Sequence, residues 1–284
     1  MAFPHKLPFI LDGASGTMFQ KAGMTLGYCT EKWALENPEE VIKIQRAYVE
    51  AGSDAVYAPT FGANRPSLDR HGIDISVREM CSRLVEISRK AVSGNALVGG
   101  DIAPCGLQME PYGQSSFDDL MDIFSVVAEG LESAGVDFFA VESQISLEET
   151  KATVTAVKRV SAKPVIVSFS CGDTGKSIWG DDLAEAVTEL EPLGIDAYGV
   201  NCCGDIDLLI RLVKEIREKT TLPILVKPNA GIPVMDNGKI LYNLKPEELA
   251  GRIPELRSAG ADIFGGCCGT EPEHIRAIKE VLIK

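Results

Sequence analysis

The sequence predicts a single (β/α)8 barrel, and three observations predict it. Short apolar runs alternate with longer amphipathic stretches along the chain, the pattern of strands separated by crossover helices. Eight such runs fit within 284 residues, the usual size of this barrel. A short cadence recurs at Ala51-Gly52-Ser53-Asp54, Ala134-Gly135-Val136-Asp137 and Ala259-Gly260-Ala261-Asp262. It reads as a helix end passing into a strand, the repeating unit of the barrel.

In chain order the apolar runs are 8–11, 55–58, 96–99, 138–141, 165–169, 197–200, 224–226 and 262–264. They are near-continuous, as strands covered on both faces should be. Between them lie helical patterns with a Pro or polar start and a Gly stop. Pro38-Glu39-Glu40 opens one that runs to Ala51, Ser116 opens one that ends near Gly135, and Pro246-Glu247-Glu248 opens one that ends before Gly260. A doubly wound open sheet is the alternative. No GxGxxG or Walker motif follows any strand, which weakens it. No linker, low-complexity tract or charge run divides residues 1–284, so one domain is expected.

The composition, 45% hydrophobic and 24% charged, is that of an ordinary globular protein. The net charge of −13 leaves no basic stripe for nucleic acid or an anionic membrane surface. The N-terminal Met-Ala-Phe-Pro-His-Lys-Leu-Pro lacks the regions of a signal peptide, and no run reaches the length of a membrane span. The expectation is a cytoplasmic protein with reduced thiols. Its eight cysteines then point to metal binding or catalysis wherever they cluster.

Barrel enzymes carry their chemistry at the C-terminal ends of the strands. Here those ends read Asp12-Gly13-Ala14-Ser15-Gly16-Thr17, Pro59-Thr60-Phe61-Gly62, Asp101, Glu142, Ser168 with Ser170, Asn201-Cys202-Cys203, Lys227-Pro228-Asn229 and Gly265-Gly266-Cys267-Cys268-Gly269. Cys267 and Cys268 are adjacent. In a regular strand they would point to opposite faces, but the flanking glycines let the chain turn so that both sulfurs face one point. A third thiolate would come from Cys202 or Cys203. Lone cysteines are usually small buried residues. Two pairs at two strand ends, one of them set among glycines, favour a metal. Three thiolates with one open position describe a catalytic zinc site. Such a site is electron-rich and suits activation of a substrate sulfur for alkylation rather than polarisation of water. His5, His71 and His274 are the only histidines, and each reads as a solvated or capping residue rather than a base.

Asp12 and Glu142 offer partners for a substrate ammonium; their structural alternative is a cap or an internal salt bridge. For Asp12 a strand-end turn is a strong alternative, whereas an acid after Phe138-Phe139-Ala140-Val141 needs a partner. The N–H groups of Gly13 to Gly16 could receive a carboxylate. An α-amino acid thiol supplies both groups.

These motifs, together with Val200-Asn201-Cys202, Pro228-Asn229-Ala230-Gly231 and Gly265-Gly266-Cys267-Cys268-Gly269-Thr270, resemble the homocysteine S-methyltransferase family over essentially the whole chain. The resemblance implies a (β/α)8 barrel with zinc held by Cys202, Cys267 and Cys268, with Cys203 outside the ligand set. It implies Asn229 as a further ligand before substrate arrives, and Asp12, Gly13 and Glu142 as contacts to homocysteine. The likeness is strongest to the homocysteine module of cobalamin-dependent methionine synthases, through Pro59-Thr60-Phe61-Gly62-Ala63-Asn64-Arg65 and Arg70-His71-Gly72. The segments Ala58-Pro59-Thr60-Phe61 and Gly100-Asp101-Ile102-Ala103-Pro104-Cys105-Gly106 depart from the family pattern. The chain runs 16 residues past Cys268, so any cobalamin is expected on a separate corrinoid protein. The implied reaction is methyl transfer to homocysteine. Alternatives are a sulfonium such as S-methylmethionine as donor, another thiol as acceptor, or a non-catalytic zinc-binding subunit of a methyl-transfer complex.

Overall fold

Each of the eight apolar runs contributes a strand to one parallel sheet in the computed structural model, which describes residues 5–172, 174–236 and 239–283. Residues 1–4 of the N-terminal segment lie outside the described residues. The strands are β1 (Phe9–Ile10), β2 (Ala55–Tyr57), β3 (Leu97–Ile102), β4 (Phe138–Gln144), β5 (Val165–Ser170), β6 (Ala197–Asn201) and β7 (Ile224–Lys227). An antiparallel hairpin of β8 (Val234–Asp236) and β9 (Lys239–Leu241) follows, and β10 (Ala261–Phe264) completes the sheet. The order is β1-β10-β7-β6-β5-β4-β3-β2. The seam between β1 and β2 is drawn shut by single bonds. The Asp54 N–H donates to the Ile10 carbonyl at 2.6 Å, and the Tyr57 N–H donates to the Asp12 carboxylate at 2.8 Å. The sheet is thus a nearly closed barrel with helices between its strands, as the alternation of patterns predicts.

The recurring Gly-x-Asp cadence has a physical cause. Gly52, Gly135 and Gly260 end the helices Pro38–Ala51, Phe117–Ala134 and Pro246–Ala259 with φ of 110°, 78° and 117°. This left-handed conformation is cheap only for glycine. The aspartate two residues on turns back to the preceding strand. Asp54, Asp137 and Asp262 accept the N–H of Ile10, Val98 and Ile224 at 2.8, 2.7 and 3.1 Å. Each also meets a cation on the outer layer: Lys279, Arg89 and Arg217 respectively. The structure reveals a fourth copy at Gly194-Ile195-Asp196, whose carboxylate takes the Val165 N–H and Lys158.

The core has two parts. The larger lies between strands and helices; the smaller fills the barrel interior with Phe9, Leu11, Tyr57, Phe138, Ile166 and Leu225 among others. Glycines make room for it. At Gly99 a Cβ would stand 2.5 Å from the Phe138 ring, and at Gly199 it would stand 1.8 Å from the Leu225 carbonyl oxygen on β7. That second contact is with backbone, so β6 and β7 would have to part. Gly199→Ala is therefore expected to destabilise the barrel by about 1–3 kcal/mol or more. Thermal denaturation should show a midpoint several degrees below the wild type, and an unchanged midpoint would contradict this packing.

His274 is buried and caps its helix, accepting the Glu271 N–H at Nδ1 (3.1 Å), with Nε2 3.0 Å from the Leu244 carbonyl. It is a capping residue, as expected, but not a solvated one. Among the described residues no helix is long and apolar enough to cross a membrane.

Candidate metal and substrate site

Side chains two residues apart on a strand share a face. Gly99, Ala140, Gly199 and Leu225 belong to the inward face, and the next inward positions are Asp101, Glu142, Asn201 and Lys227. The barrel interior therefore changes from apolar to ionic within one step, at the C-terminal ends of β3, β4, β6 and β7. Asp12, Asp101, Glu142 and Lys227 line a cavity of about 270 Å³ at this rim, together with Cys202, Cys267 and Cys268.

The three cysteines come from two loops that are each tied through backbone to the segment 227–230 at the end of β7. The Cys202 N–H donates to the Lys227 carbonyl (3.1 Å), the Cys267 N–H to the Pro228 carbonyl (2.8 Å), and the Ala230 N–H to the Cys268 carbonyl (2.9 Å). The Gly266 N–H bonds to the Asp12 carbonyl at 3.0 Å, which joins this cluster to the β1 loop. Cys202 itself adopts a left-handed backbone with φ of 57°, a conformation that costs a non-glycine residue roughly 1–2 kcal/mol. The glycines around the pair are required. A Cβ at Gly266 would meet Thr270 at 2.3 Å, and one at Gly269, whose φ is 80°, would meet Tyr242 at 2.3 Å.

The Cys202 sulfur lies 3.0 Å from that of Cys267 and 3.6 Å from that of Cys268. The three sulfurs all lie within 4.8 Å of one another, the only such group of metal-binding side chains among the described residues. No disulfide joins them, and none of the eight cysteines is in a disulfide. Tetrahedral zinc with bonds of about 2.3 Å spaces its sulfurs about 3.8 Å apart. The 3.6 Å separation is close to that, and the 3.0 Å one needs to open by under about 1 Å. Three soft donors converging this closely fit zinc. Crowding favours the thiolate at one of the three sulfurs, Cys268, while Cys267, lowered by its hydrogen bond with Cys202 but raised more by that with Cys268 and by burial, ends at about 11. Hydrogen bonds from Cys202 and then Cys267 push the Cys268 thiol down to about 3, against its burial, and Tyr242 adds a further hydrogen bond in the same direction. Cys202, which supplies such bonds to Cys267 and Cys268, is pushed up.

Asn201 holds the next layer. Its amide donates to the Ser143 hydroxyl at 2.6 Å and to the Cys267 sulfur at 3.7 Å, while its oxygen accepts the Ser143 N–H at 3.2 Å. Ser143 is itself left-handed at φ 54°. Asn229 is buried; its N–H bonds to the Cys203 carbonyl at 2.8 Å, and its side-chain oxygen has no hydrogen-bond partner. That orphaned acceptor suits a residue that serves a metal part of the time. Cys203 stands apart from the three-sulfur group. It is buried and donates to the Asp205 carbonyl at 3.4 Å.

Glu142 has an internal partner that the sequence reading did not assign. The Lys227 ammonium lies 2.7 Å from Glu142 Oε1, 3.6 Å from Asp12 Oδ1 and 3.9 Å from the centre of the Tyr57 ring. Its side chain is only 3% exposed. Burial pulls the lysine pKa down, but Glu142 and Asp12 more than offset this and leave it above the usual value, so the ammonium stays charged. The acids are raised as well, which for a carboxyl group favours the neutral form. Burial raises Asp12 to about 6 against the pull of Lys227, raises Glu142 against the same pull, and raises Asp101 well above the ordinary range, with Glu142 adding to the rise. Asp12 also has the structural role that the sequence offered as an alternative, since its Oδ2 closes the β1–β2 seam. Gly13 lines the cavity, and a side chain there would strike Tyr48 and Thr270 at 2.7 and 2.8 Å. The Ala14 N–H is occupied by the Thr270 hydroxyl at 3.1 Å.

Of the seven site residues expected from sequence, Asp12, Gly13, Glu142, Cys202, Cys267 and Cys268 line one space, and Asn229 is buried outside that lining. Lys227, Asp101, Asn201, Ser143 and Tyr242 were given no role. For Asp101, Asn201 and Lys227 a signal existed: each stands two residues beyond an inward position of its own strand. Tyr242 arrives from the loop after the β8–β9 hairpin, which carries no such signal.

A model of the homocysteine S-methyltransferase family matches residues 9–282. Methionine synthases of Mycobacterium tuberculosis and Mycobacterium leprae are each 30% identical over 285 residues. The match takes in 94% of this chain and 24% of theirs, so the chain spans about a quarter of the length of these curated relatives. The metallated form of the homocysteine methyltransferase MmuM from Escherichia coli superposes with a TM-score of 0.80 at 25% identity, covering 96% of this chain and 95% of that one. The carboxyl transferase domain of Rhizobium etli pyruvate carboxylase, at 14% identity and a TM-score of 0.55, covers 98% of this chain and 48% of that one and shares the fold alone.

Proposed function

Because the chain belongs to the homocysteine S-methyltransferase family, we propose that it transfers a methyl group to the sulfur of L-homocysteine, giving L-methionine. The observation that carries this reading is the placement of three converging cysteine sulfurs and an acidic floor in one cavity. A thiol amino acid presents its sulfur to the first and its ammonium to the second. Cys202, Cys267 and Cys268 would hold zinc, with Asn229 as a further ligand before substrate arrives. Zinc bound there supplies the acidity that keeps the acceptor sulfur a thiolate at neutral pH. Asp12 and Glu142 bind and orient the ammonium, and N–H groups of the Gly13–Gly16 segment other than that of Ala14, which bonds to Thr270, receive the carboxylate. A sulfur lone pair forms the new S–CH3 bond as the donor–CH3 bond breaks, and that bonding pair leaves with the donor. The acceptor's proton has already departed.

For the donor we propose a methyl-corrinoid on a separate protein, supported by the likeness to methionine synthases. The test is methionine formation by the zinc-loaded protein from homocysteine and each of a panel of donors, including methylcobalamin and S-methylmethionine. Turnover with methylcobalamin supports the corrinoid reading, turnover with S-methylmethionine alone replaces it with a sulfonium donor, and failure to bind homocysteine overturns the whole assignment.

The metal is expected to be dispensable for folding. Two apolar clusters account for the core, and neither includes Cys202, Cys267 or Cys268. A zinc finger, by contrast, has no core without its metal. Chelation should abolish methyl transfer and leave far-ultraviolet circular dichroism near native. Global unfolding on chelation would show the site to be structural.

A further inference from the structure

The acidic floor has more acid than its internal cation can satisfy. Three carboxylates, Asp12, Asp101 and Glu142, surround the one ammonium of Lys227 in the cavity. Lys227 is close to Glu142 at 2.7 Å and nearer the limit of an ion pair with Asp12 at 3.6 Å. Asp101 forms neither contact. Its backbone is fixed by a reciprocal pair with Thr60: the Asp101 N–H donates to the Thr60 hydroxyl at 3.0 Å, and that hydroxyl donates to the Asp101 carbonyl at 2.9 Å. Its carboxylate is left facing the same space. Asp101 is 6% exposed, and its Oδ1 is buried with no hydrogen-bond partner. Asp12 Oδ1 also lacks a hydrogen bond. Buried acceptors without donors are expensive and rarely retained without a use.

We propose that Asp101 is a specificity-determining residue for the acceptor, completing with Asp12 and Glu142 a site for a second ammonium group beside that of Lys227. This rests on the reading of the acceptor as an amino-acid thiol and deepens it. Lys227 is fixed to Glu142 and acts as a built-in counter-cation. Asp101 has no counter-cation of its own, so the incoming ammonium supplies one. A thiol without an amino group leaves Asp101 unpartnered and gains nothing from it. The site thus selects amino-acid thiols over their deaminated counterparts.

The test is calorimetric titration of L-homocysteine and 4-mercaptobutyrate into zinc-loaded wild type, Asp101→Asn and Asp101→Ala, with zinc content and circular dichroism measured on each. Asp101→Asn keeps the shape and removes the carboxyl group that would ionise when the ammonium arrives. It should weaken homocysteine at least about tenfold, as expected for loss of a buried charge partner, and change 4-mercaptobutyrate less than about twofold. Asp101→Ala should do the same. Unchanged discrimination between the two thiols in both variants overturns the proposal. So does loss of zinc or of the native spectrum in both, which would make Asp101 a structural residue. Absence of homocysteine binding to the wild type is a different failure, since it removes the homocysteine reading on which the proposal stands.

Discussion

Cys202→Ala, Cys267→Ala and Cys268→Ala will each leave the protein without tightly bound metal, while Cys203→Ala keeps about one zinc per chain. The distinction follows from geometry. Cys202, Cys267 and Cys268 form one group of sulfurs, and Cys203, the very next residue, turns away to the Asp205 carbonyl. Removing one of three thiolates leaves two, too few to hold zinc against the open solvent side. The effect on turnover should be at least about a thousandfold. A free thiol is only a few per cent thiolate at neutral pH, which accounts for roughly 30-fold. The remainder is lost positioning of the sulfur against the methyl group, a large term wherever a reacting atom is held in place. Metal analysis of the four variants decides the assignment; full zinc in the Cys268 variant, or loss of zinc in the Cys203 variant, would sink it.

Glu142→Gln is expected to weaken homocysteine binding by ~30-fold to several-thousand-fold while zinc stays bound. The range corresponds to the ~2–5 kcal/mol typically lost when one partner of a buried charge pair is removed. Two effects act together here. The amide no longer attracts the substrate ammonium, and it leaves Lys227 in the cavity without its 2.7 Å partner, so that two ammonium groups face each other less well screened. Zinc should be retained because Glu142 is not among the grouped sulfurs and touches Lys227 instead. The same variant should bind 4-mercaptobutyrate nearly as the wild type does, because that thiol carries no ammonium. Titration of both thiols into both proteins reads this directly. Equal homocysteine affinity in the two proteins would mean that the acceptor is a different thiol.

The fold was legible in the sequence because its determinants are local. A near-continuous apolar run buries both faces of a strand wherever it lies in the barrel, and all eight runs became strands. The glycines at 52, 135 and 260 mark helix ends because only glycine takes that left-handed backbone without cost. The identity of the cysteine cluster was legible for a related reason: adjacent cysteines among glycines are a poor core and a good turn.

The ionic floor was decided by tertiary structure alone. Lys227 and Glu142 are 85 residues apart, and Lys227 and Asp12 come from strands that are not even neighbours in the sheet. What brings them together is barrel closure, which points the inward side chains of every strand at one axis. In sequence Glu142 is an acid in need of a partner; only closure shows that a lysine of the same chain already fills part of that need. Closure likewise decides which of two neighbouring cysteines joins the sulfur group. Cys202 and Cys203 are indistinguishable by composition, and the left-handed turn at Cys202, held by its N–H bond to the Lys227 carbonyl, is what sends one towards Cys267 and the other into the wall.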